Sequence, residues 1–198
     1  MSALARAALL AGALSFALDA ASDALAALCG RRGGRALFVL AGALLGGATL
    51  ALVWDARPAA AGPRLLWLLL AALFLALLVG TVFIATAQGG SSGLPPAGDR
   101  LPLVDSGVYA LCRHPGVLWL AGFYLALFLA LGGAALLLAA VLFTALDALY
   151  VLWQDRCVFG RTIAGYAAYR RRTPFLLPTA DSLRRCLRDL ASRRGGRE

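Results

Sequence analysis

The sequence predicts an all-α membrane protein, namely a polytopic bundle of about five transmembrane helices with a basic, cytoplasmic, helical C-terminal tail. Of the 198 residues, 61% are hydrophobic and only 15% are charged, whereas about a quarter of the residues in a soluble domain are charged. The apolar residues lie in runs long enough to cross a bilayer, which takes about 20 residues. Eleven of the 19 arginines follow Trp153, so the net charge of +9 is concentrated in the tail.

The N-terminal region, residues 1–87, is predicted to contain three transmembrane helices. The first is the Ala- and Leu-rich stretch 3–28. A cleaved signal peptide is an alternative for this stretch, because Arg6 precedes an apolar segment that ends in small residues. The second helix is the apolar run 36–54, which follows a cluster of arginines and glycines, and the third is the uncharged run 65–87.

Residues 88–178 form the second predicted region, and residues 179–198 are a basic C-terminal tail. The second region opens with a loop rich in Gly, Ser and Pro. Residues 117–153 then carry a single charge and are too long for one crossing, because an α-helix rises about 1.5 Å per residue. The pair Gly132 and Gly133 predicts a break here, between the two helices of a membrane hairpin.

The distribution of arginines predicts the orientation of the chain. With five crossings and a cytoplasmic tail, 16 arginines fall on the cytoplasmic side, and only Arg6, Arg57 and Arg64 fall on the other side. This asymmetry obeys the positive-inside rule. We therefore expect an integral protein of the bacterial inner (plasma) membrane with a cytoplasmic C-terminal tail. Its expected partners include membrane lipids, because a basic tail suits an anionic lipid surface, and exclude nucleic acid.

A metal site is not expected from the composition. The four cysteines are scattered without a Cys-x-x-Cys pair, and His114 is the only histidine. A zinc site needs about four ligands close together in space. The chemistry is therefore expected to proceed without a metal ion.

The first group of candidate functional residues lies just before the hairpin, between Tyr109 and Pro115. Here Arg113 and His114 stand at the start of a membrane helix. Ionisable residues at the edge of the hydrocarbon are functional candidates, because they are costly there unless paired. The structural alternative is that Arg113 extends to the lipid headgroups and that Pro115 only begins the helix.

The second group of candidates follows the hairpin. Asp147 precedes Gln154 by seven residues and Asp155 by eight, which predicts that the three share one face of an α-helix. Asp155 is alternatively one member of a plain charge pair at the membrane interface. Tyr166 and Tyr169 come next, beside three arginines, in a segment typical of an amphipathic helix at the membrane surface.

Taken together, these segments resemble the isoprenylcysteine carboxyl methyltransferases and their relatives, the phospholipid N-methyltransferases. The resemblance covers residues 105–178. It rests on Gly-x-Tyr-x-x-x-Arg-His-Pro before a membrane hairpin, an acidic position after it, and Tyr-x-x-Tyr with basic residues near the end. It implies a membrane-embedded transfer of a methyl group from S-adenosylmethionine (SAM) to a lipidic or prenylated acceptor.

The resemblance also implies which residues form the site. Arg113 and His114 are implied as the catalytic residues. The cofactor-binding residues that it implies are Tyr109, Arg113, His114, Pro115, Gln154, Asp155, Tyr166 and Tyr169. The chain differs from the family pattern at Val117 and Trp119, where the family has Tyr and Gly, and at Gln154, where it has Glu.

Elementary chemistry suggests roles for these residue types. The sulfonium of SAM loses its charge as the methyl group leaves, so a low-dielectric pocket that aligns the two reactants favours the reaction. Asp155 is suited to hold the ammonium group of the cofactor, and Arg113 is suited to orient a carboxylate. His114 is the only histidine that can act as a general base, which an amine acceptor requires and a carboxylate does not.

Two other functions remain open from the sequence. A membrane oxidoreductase of the sterol-reductase type, with a nicotinamide cofactor, shares a similar Arg-His-Pro hairpin. A non-catalytic or transport protein is the second alternative, with Asp19, Asp23 and Asp147 as polar sites inside the membrane.

Overall fold

The computed structural model describes residues 1–29, 31–56, 63–90 and 100–195. Within these ranges the secondary structure is helical, apart from one isolated β-bridge. The α-helices are α1 (Ala3–Cys29), α2 (Arg31–Asp55), α3 (Arg64–Gly90), α4 (Val108–Leu111), α5 (Pro115–Leu131), α6 (Ala134–Trp153), α7 (Phe159–Thr162), α8 (Tyr166–Arg172) and α9 (Ala180–Gly195), and a π-helical turn (Gln154–Val158) separates α6 from α7.

Among the residues that the structure describes, four helical stretches are long and apolar enough to cross a membrane. These are Ala3–Ala26, Gly34–Asp55, Arg64–Val82 and Ala134–Thr162. The prediction of an all-helical membrane protein is therefore confirmed. Helix α5 is also apolar but has only 17 residues. At about 1.5 Å per residue it is about 25 Å long, which is less than the hydrocarbon thickness of about 30 Å.

The predicted break between the last two apolar helices is confirmed. Helix α5 ends one residue before Gly132, and α6 begins one residue after Gly133. The two glycines have φ angles of 72° and 93°, a region that other residues rarely adopt. Beyond the turn the two helices meet, because the ring of Tyr124 lies 5.2 Å from that of Phe143 in an edge-on contact.

Helix α2 begins earlier than the predicted start at residue 36, because the preceding arginine and glycine cluster is helical as well. The hydroxyl of Ser22 on α1 donates a hydrogen bond of 2.8 Å to the carbonyl of Gly34. A Cβ atom at Gly34 would lie only 2.4 Å from the carbonyl oxygen of Ser22. Glycine therefore lets the two helices approach closely here, and tertiary packing outweighs its low helix propensity.

The chain divides into two compact units, each built from two separate stretches. Unit 1 comprises Met1–Leu75 and Leu120–Gln154. In it α1 packs against α2 and α6. The ring of Phe143 is fully buried and lies 6.0 Å from that of Phe16. The hydroxyls of Thr49 and Tyr124 share a hydrogen bond of 2.6 Å, which satisfies the one polar group of a buried aromatic residue.

Unit 2 comprises Ala76–Trp119 and Asp155–Glu198. In it α4 packs against α9, and α7 contacts α8. Leu101 pairs with the chain around Ile163 as a parallel β-bridge. Its amide donates to the carbonyl of Thr162 at 2.7 Å, and its carbonyl accepts from the amide of Ala164 at 2.9 Å. These bonds attach the segment before α4 to the segment that leads into α8.

Candidate functional site

The side chain of Asp155, which is only 3% exposed, lies at the centre of a cluster of polar residues in unit 2. Its Oδ1 atom accepts hydrogen bonds from Nη1 of Arg113 and from the hydroxyl of Tyr166, the latter at 2.5 Å. Nε2 of His114 lies 3.4 Å from the same atom. Nε of Arg170 lies 3.4 Å from Oδ2. A buried carboxylate is stable only when it is paired in this way.

Asp155 belongs to the π-helical turn that follows α6. Each turn of a π-helix holds more residues than a turn of an α-helix, so the side chains after Trp153 no longer follow the spacing of α6. The predicted common face assumed an uninterrupted α-helix from Asp147 onwards. Successive residues of a helix already point about 100° apart, so the neighbours Gln154 and Asp155 face different partners.

Gln154 is the last residue of unit 1, and its side chain is hydrogen-bonded there. Its amide nitrogen donates to Oδ2 of Asp23 at 2.6 Å and to the hydroxyl of Tyr150 at 2.8 Å. Tyr150 in turn donates to the same Asp23 oxygen at 2.7 Å. Gln154 thus forms a closed polar triangle with two residues that the sequence-based site did not include.

Arg113 and His114 are held by the chain that returns after α8. Their backbone amides donate to the carbonyls of Pro174 and Phe175 at 2.9 and 3.3 Å. The guanidinium of Arg113 lies over the Phe175 ring, 5.4 Å from its centroid. The imidazole of His114 meets the edge of that ring at 5.0 Å and stacks on Phe159 at 5.9 Å. Aromatic rings therefore enclose both candidate residues.

Burial lowers the pKa of His114 to about 4, although the adjacent Asp155 carboxylate partly offsets this effect. The imidazole is therefore neutral at pH 7. An ionised carboxylate only accepts hydrogen bonds, which assigns the single imidazole proton to Nε2, the atom that faces Asp155. A neutral donor at this position supports the carboxylate without adding a third positive charge.

Tyr109, Tyr169 and Pro115 frame the cluster. The hydroxyl of Tyr109 donates to the carbonyl of Thr81 at 3.0 Å, and its carbonyl accepts from the hydroxyl of Tyr169 at 2.7 Å. Burial raises the pKa of Tyr109 to about 12 and also raises the pKa of Tyr169. Pro115 begins α5 and is fully buried. These residues connect α3, α4 and α8 within unit 2.

Some of the predicted site residues thus meet directly, and others do not. The structure brings together Arg113, His114, Asp155 and Tyr166. Sequence reasoning missed Phe159 and Phe175, which enclose His114. For Phe175 a signal existed, because the apolar segment 174–178 interrupts an otherwise polar tail.

Two atoms of the cluster have capacity for a further partner. Nε of Arg113 is buried and has no hydrogen-bond partner among the residues that the structure describes. Such an atom costs about 1–3 kcal/mol when it stays unpaired. Among the described residues, the contact of Oδ2 of Asp155 is the long one of 3.4 Å with Arg170, whose side chain is 49% exposed. The cluster thus offers one N–H donor and one carboxylate oxygen to a ligand that carries both an anionic and a cationic group.

Three acidic residues of unit 1, Asp19, Asp23 and Asp147, form a group of their own. Asp23 is bonded to Tyr150 and Gln154. Oδ1 of Asp19 is buried and has no hydrogen-bond partner within the described part of the chain, and Asp147 interacts with it electrostatically. Across residues 1–29, 31–56, 63–90 and 100–195, no group of three or more His, Cys, Asp or Glu side chains is arranged to hold a metal ion.

The fold and the cluster define a helical membrane protein with a buried, charge-paired polar site. Comparison with known proteins adds no relative, since no protein family, curated protein or solved structure matches the chain. The geometry of the cluster is therefore the basis for assigning a function.

Proposed function

We propose that the chain is an integral membrane methyltransferase that uses SAM to methylate a carboxylate of a lipidic or prenylated acceptor. The observation that carries the proposal is the direct contact between Arg113 and Asp155, which are 42 residues apart in the sequence. The Asp155 side chain is buried, at 3% exposure, and the Arg113 side chain is largely covered, at 9%. Nε of Arg113 nevertheless has no hydrogen-bond partner among the described residues, as expected for a donor that forms a hydrogen bond with a ligand.

The amino-acid portion of SAM carries a carboxylate and an ammonium group, and the cluster has a complement for each. Nε of Arg113 is suited to the carboxylate, because charge-assisted hydrogen bonds to guanidinium are strong and directional. Oδ2 of Asp155 is suited to the ammonium once the half-exposed Arg170 moves aside. Bound there, SAM supplies an electrophilic methyl group on a sulfonium cation that becomes neutral as the methyl leaves.

His114 favours an acceptor that needs no general base. With a pKa of about 4, caused by burial, its imidazole is a poor proton acceptor at neutral pH. An amine acceptor must lose a proton before it attacks, whereas a carboxylate attacks as the anion already present. The role of His114 is to support Asp155 through Nε2. Together with Phe159 and Phe175 it excludes water from the cluster.

The membrane arrangement belongs to the same proposal. Helix α5, although short, serves as a fifth crossing, because a bilayer thins locally around a short apolar helix at modest cost. The C-terminal tail lies on the cytoplasmic side of a bacterial inner membrane, an orientation that the 16-to-3 distribution of arginines supports under the positive-inside rule. The acceptor then enters from the bilayer.

Binding of tritiated SAM to the purified full chain in lipid nanodiscs tests the cofactor assignment. We expect the wild type to bind and Asp155→Asn and Arg113→Gln to bind at least about tenfold more weakly, because hydrogen bonds to charged groups contribute about 1.5–3 kcal/mol. Asp181→Asn is the matched control, since it makes the same chemical change at a side chain that is 79% exposed. The proposal is wrong if folded wild type does not bind, or if Asp155→Asn binds equally well.

Because Asp155→Asn disturbs a buried ion pair, a milder variant accompanies it. Tyr166→Phe keeps both charges and removes only one hydrogen bond to Asp155. That bond is present with and without SAM, so the variant weakens binding only by loosening the position of the carboxylate, and we expect a smaller loss than for Asp155→Asn. The acceptor is tested by incubating membrane lipids with labelled SAM and the wild-type protein. A base-labile methyl ester supports a carboxylate acceptor. A base-stable N-methyl product contradicts a carboxylate acceptor, although it still supports methyl transfer.

A further inference from the structure

Helix α9 is fixed on unit 2 by one of its sides. Ser182 is fully buried and Cys186 is 6% exposed, and α9 packs against α4. Oδ2 of Asp189 accepts a hydrogen bond of 3.2 Å from the amide of Gly107. These residues recur every three or four positions and therefore lie on one face. The contacts determine which side of the helix remains uncovered.

The uncovered side combines leucines with arginines. Leu183 and Leu187 are 48% and 57% exposed, and Arg184 and Arg188 beside them are also exposed. Each pair is spaced four residues apart, so the side chains form two adjacent rows along the helix. We call these four residues the Leu–Arg face. A shallow open cleft of about 610 Å³ is lined by Asp181, Arg184, Arg185, Leu187 and Arg188.

We propose that the Leu–Arg face docks on an anionic phospholipid surface, with the arginines at the phosphates and the leucines inserted below them. Charge complementarity favours this partner, because arginines near an anionic leaflet bind its headgroups. Exposed leucines alternating with arginines are typical of helices that lie in the membrane interface.

The location of α9 supports the same partner. Unit 2 also contains Ala76–Val82, the last part of a candidate membrane-spanning stretch. The unit that carries the Leu–Arg face therefore reaches a bilayer without any further attachment. A nucleic acid would complement the arginines only, and it would leave two large leucines in water.

Hydrogen exchange of the α9 backbone amides, measured by mass spectrometry on the full chain in nanodiscs, tests this proposal. We expect exchange in the 180–195 segment to slow severalfold when phosphatidylglycerol is added to phosphatidylcholine. Arg184→Gln/Arg188→Gln removes two arginines that each raise the affinity for an anionic surface by about fivefold. We therefore expect that phosphatidylglycerol no longer slows exchange in this variant. Leu183→Ser/Leu187→Ser is expected to lose the slowing as well. About 0.5 M NaCl is expected to weaken it, since salt screens exposed charges.

The matched control is Arg100→Gln/Arg171→Gln, which removes the same charge from two other exposed positions of unit 2. We expect this variant to respond to phosphatidylglycerol as the wild type does. Equal exchange in neutral and anionic nanodiscs overturns the proposal. It is also overturned if inorganic phosphate or a single-stranded RNA oligonucleotide, added to neutral nanodiscs, slows exchange as much as phosphatidylglycerol does. If the control variant also loses the slowing by phosphatidylglycerol, the slowing depends only on the total charge of the protein. That result would contradict docking through the Leu–Arg face.

Discussion

The hydroxyl of Tyr166 donates a hydrogen bond of 2.5 Å to Oδ1 of Asp155, and this bond joins α8 to the π-helical turn within unit 2. The same oxygen accepts from Arg113. A carboxylate that receives donors from two different segments holds those segments in register. The Tyr166 hydroxyl and the Arg113 guanidinium thus hold the same carboxylate oxygen from two segments of the chain.

Removing that hydroxyl is expected to cost more than removing another buried tyrosine hydroxyl. We expect Tyr166→Phe to lower the free energy of unfolding by about 2 kcal/mol, because its partner is a carboxylate. Tyr109→Phe is the matched control, since the Tyr109 hydroxyl donates to a neutral backbone carbonyl, and we expect it to cost about 1 kcal/mol. Unfolding in mixed detergent micelles measures both. If Tyr166→Phe lowers the free energy of unfolding no more than Tyr109→Phe does, the hydrogen bond to Asp155 contributes no more than one to a backbone carbonyl, which would contradict this prediction.

Stability is expected to depend on pH through His114. Burial lowers its pKa to about 4 in the folded protein, while an unfolded histidine titrates near about 6.5. Between these values the unfolded chain binds the proton more readily, so stability is complete above about pH 6.5 and falls as the pH drops toward about 4. The total loss from this residue is about 3 kcal/mol.

The difference between wild type and His114→Gln isolates this contribution from that of other titrating groups. We expect the free-energy difference between the two proteins to change by about 3 kcal/mol from pH 7 to pH 4, with the wild type losing more stability than the variant. Parallel pH profiles would show that His114 titrates in the folded protein as it does in the unfolded chain.

The methyltransferases that the sequence resembles have Glu where this chain has Gln154, and introducing Glu distinguishes two placements of the residue. Its amide nitrogen donates to Asp23 at 2.6 Å, so Gln154→Glu replaces a donor with a second carboxylate. We expect it to lower the free energy of unfolding by about 1–3 kcal/mol without strengthening SAM binding. Asp23→Asn in the same protein should recover most of the loss, because an amide again donates to a carboxylate. Tighter SAM binding by Gln154→Glu would instead place this residue at the cofactor.

The contact between α1 and α6 depends on a glycine in unit 1. A Cβ atom on Gly12 would lie 2.2 Å from Cζ of Phe143, whose ring is fully buried. We expect Gly12→Ala to lower the free energy of unfolding by about 1–3 kcal/mol, the usual cost of overpacking. Gly46→Ala on α2 is the matched control, because nothing lies within 4 Å of its added Cβ.

A second substitution identifies the clash at Gly12. Phe143→Leu removes the ring that the new methyl group meets, so its cost added to that of Gly12→Ala should exceed the cost of the double variant. Strict additivity of the two costs would mean that the residues are not in contact.

The class of fold was predictable because it depends on local properties of the chain. Long apolar runs form helices that satisfy their own backbone hydrogen bonds in lipid. A glycine pair alone does not break such a helix, since Gly46 and Gly47 lie inside α2, but Gly132 and Gly133 lie in the middle of a run that is too long for one crossing. The early start of α2 was not predictable, because it depends on how closely Gly34 approaches Ser22 on a neighbouring helix.

The composition of the polar cluster illustrates the same division. The amino-acid sequence by itself determined a helical membrane protein with a basic tail, and it singled out Arg113, His114, Asp155 and Tyr166 as residues of interest. Only the tertiary structure decided that Asp155 meets Arg113 while Gln154 turns to Asp23. The physical reason is that helical periodicity gives the direction of a side chain around its own helix axis, and carries no information about which residues of a distant segment pack against that side.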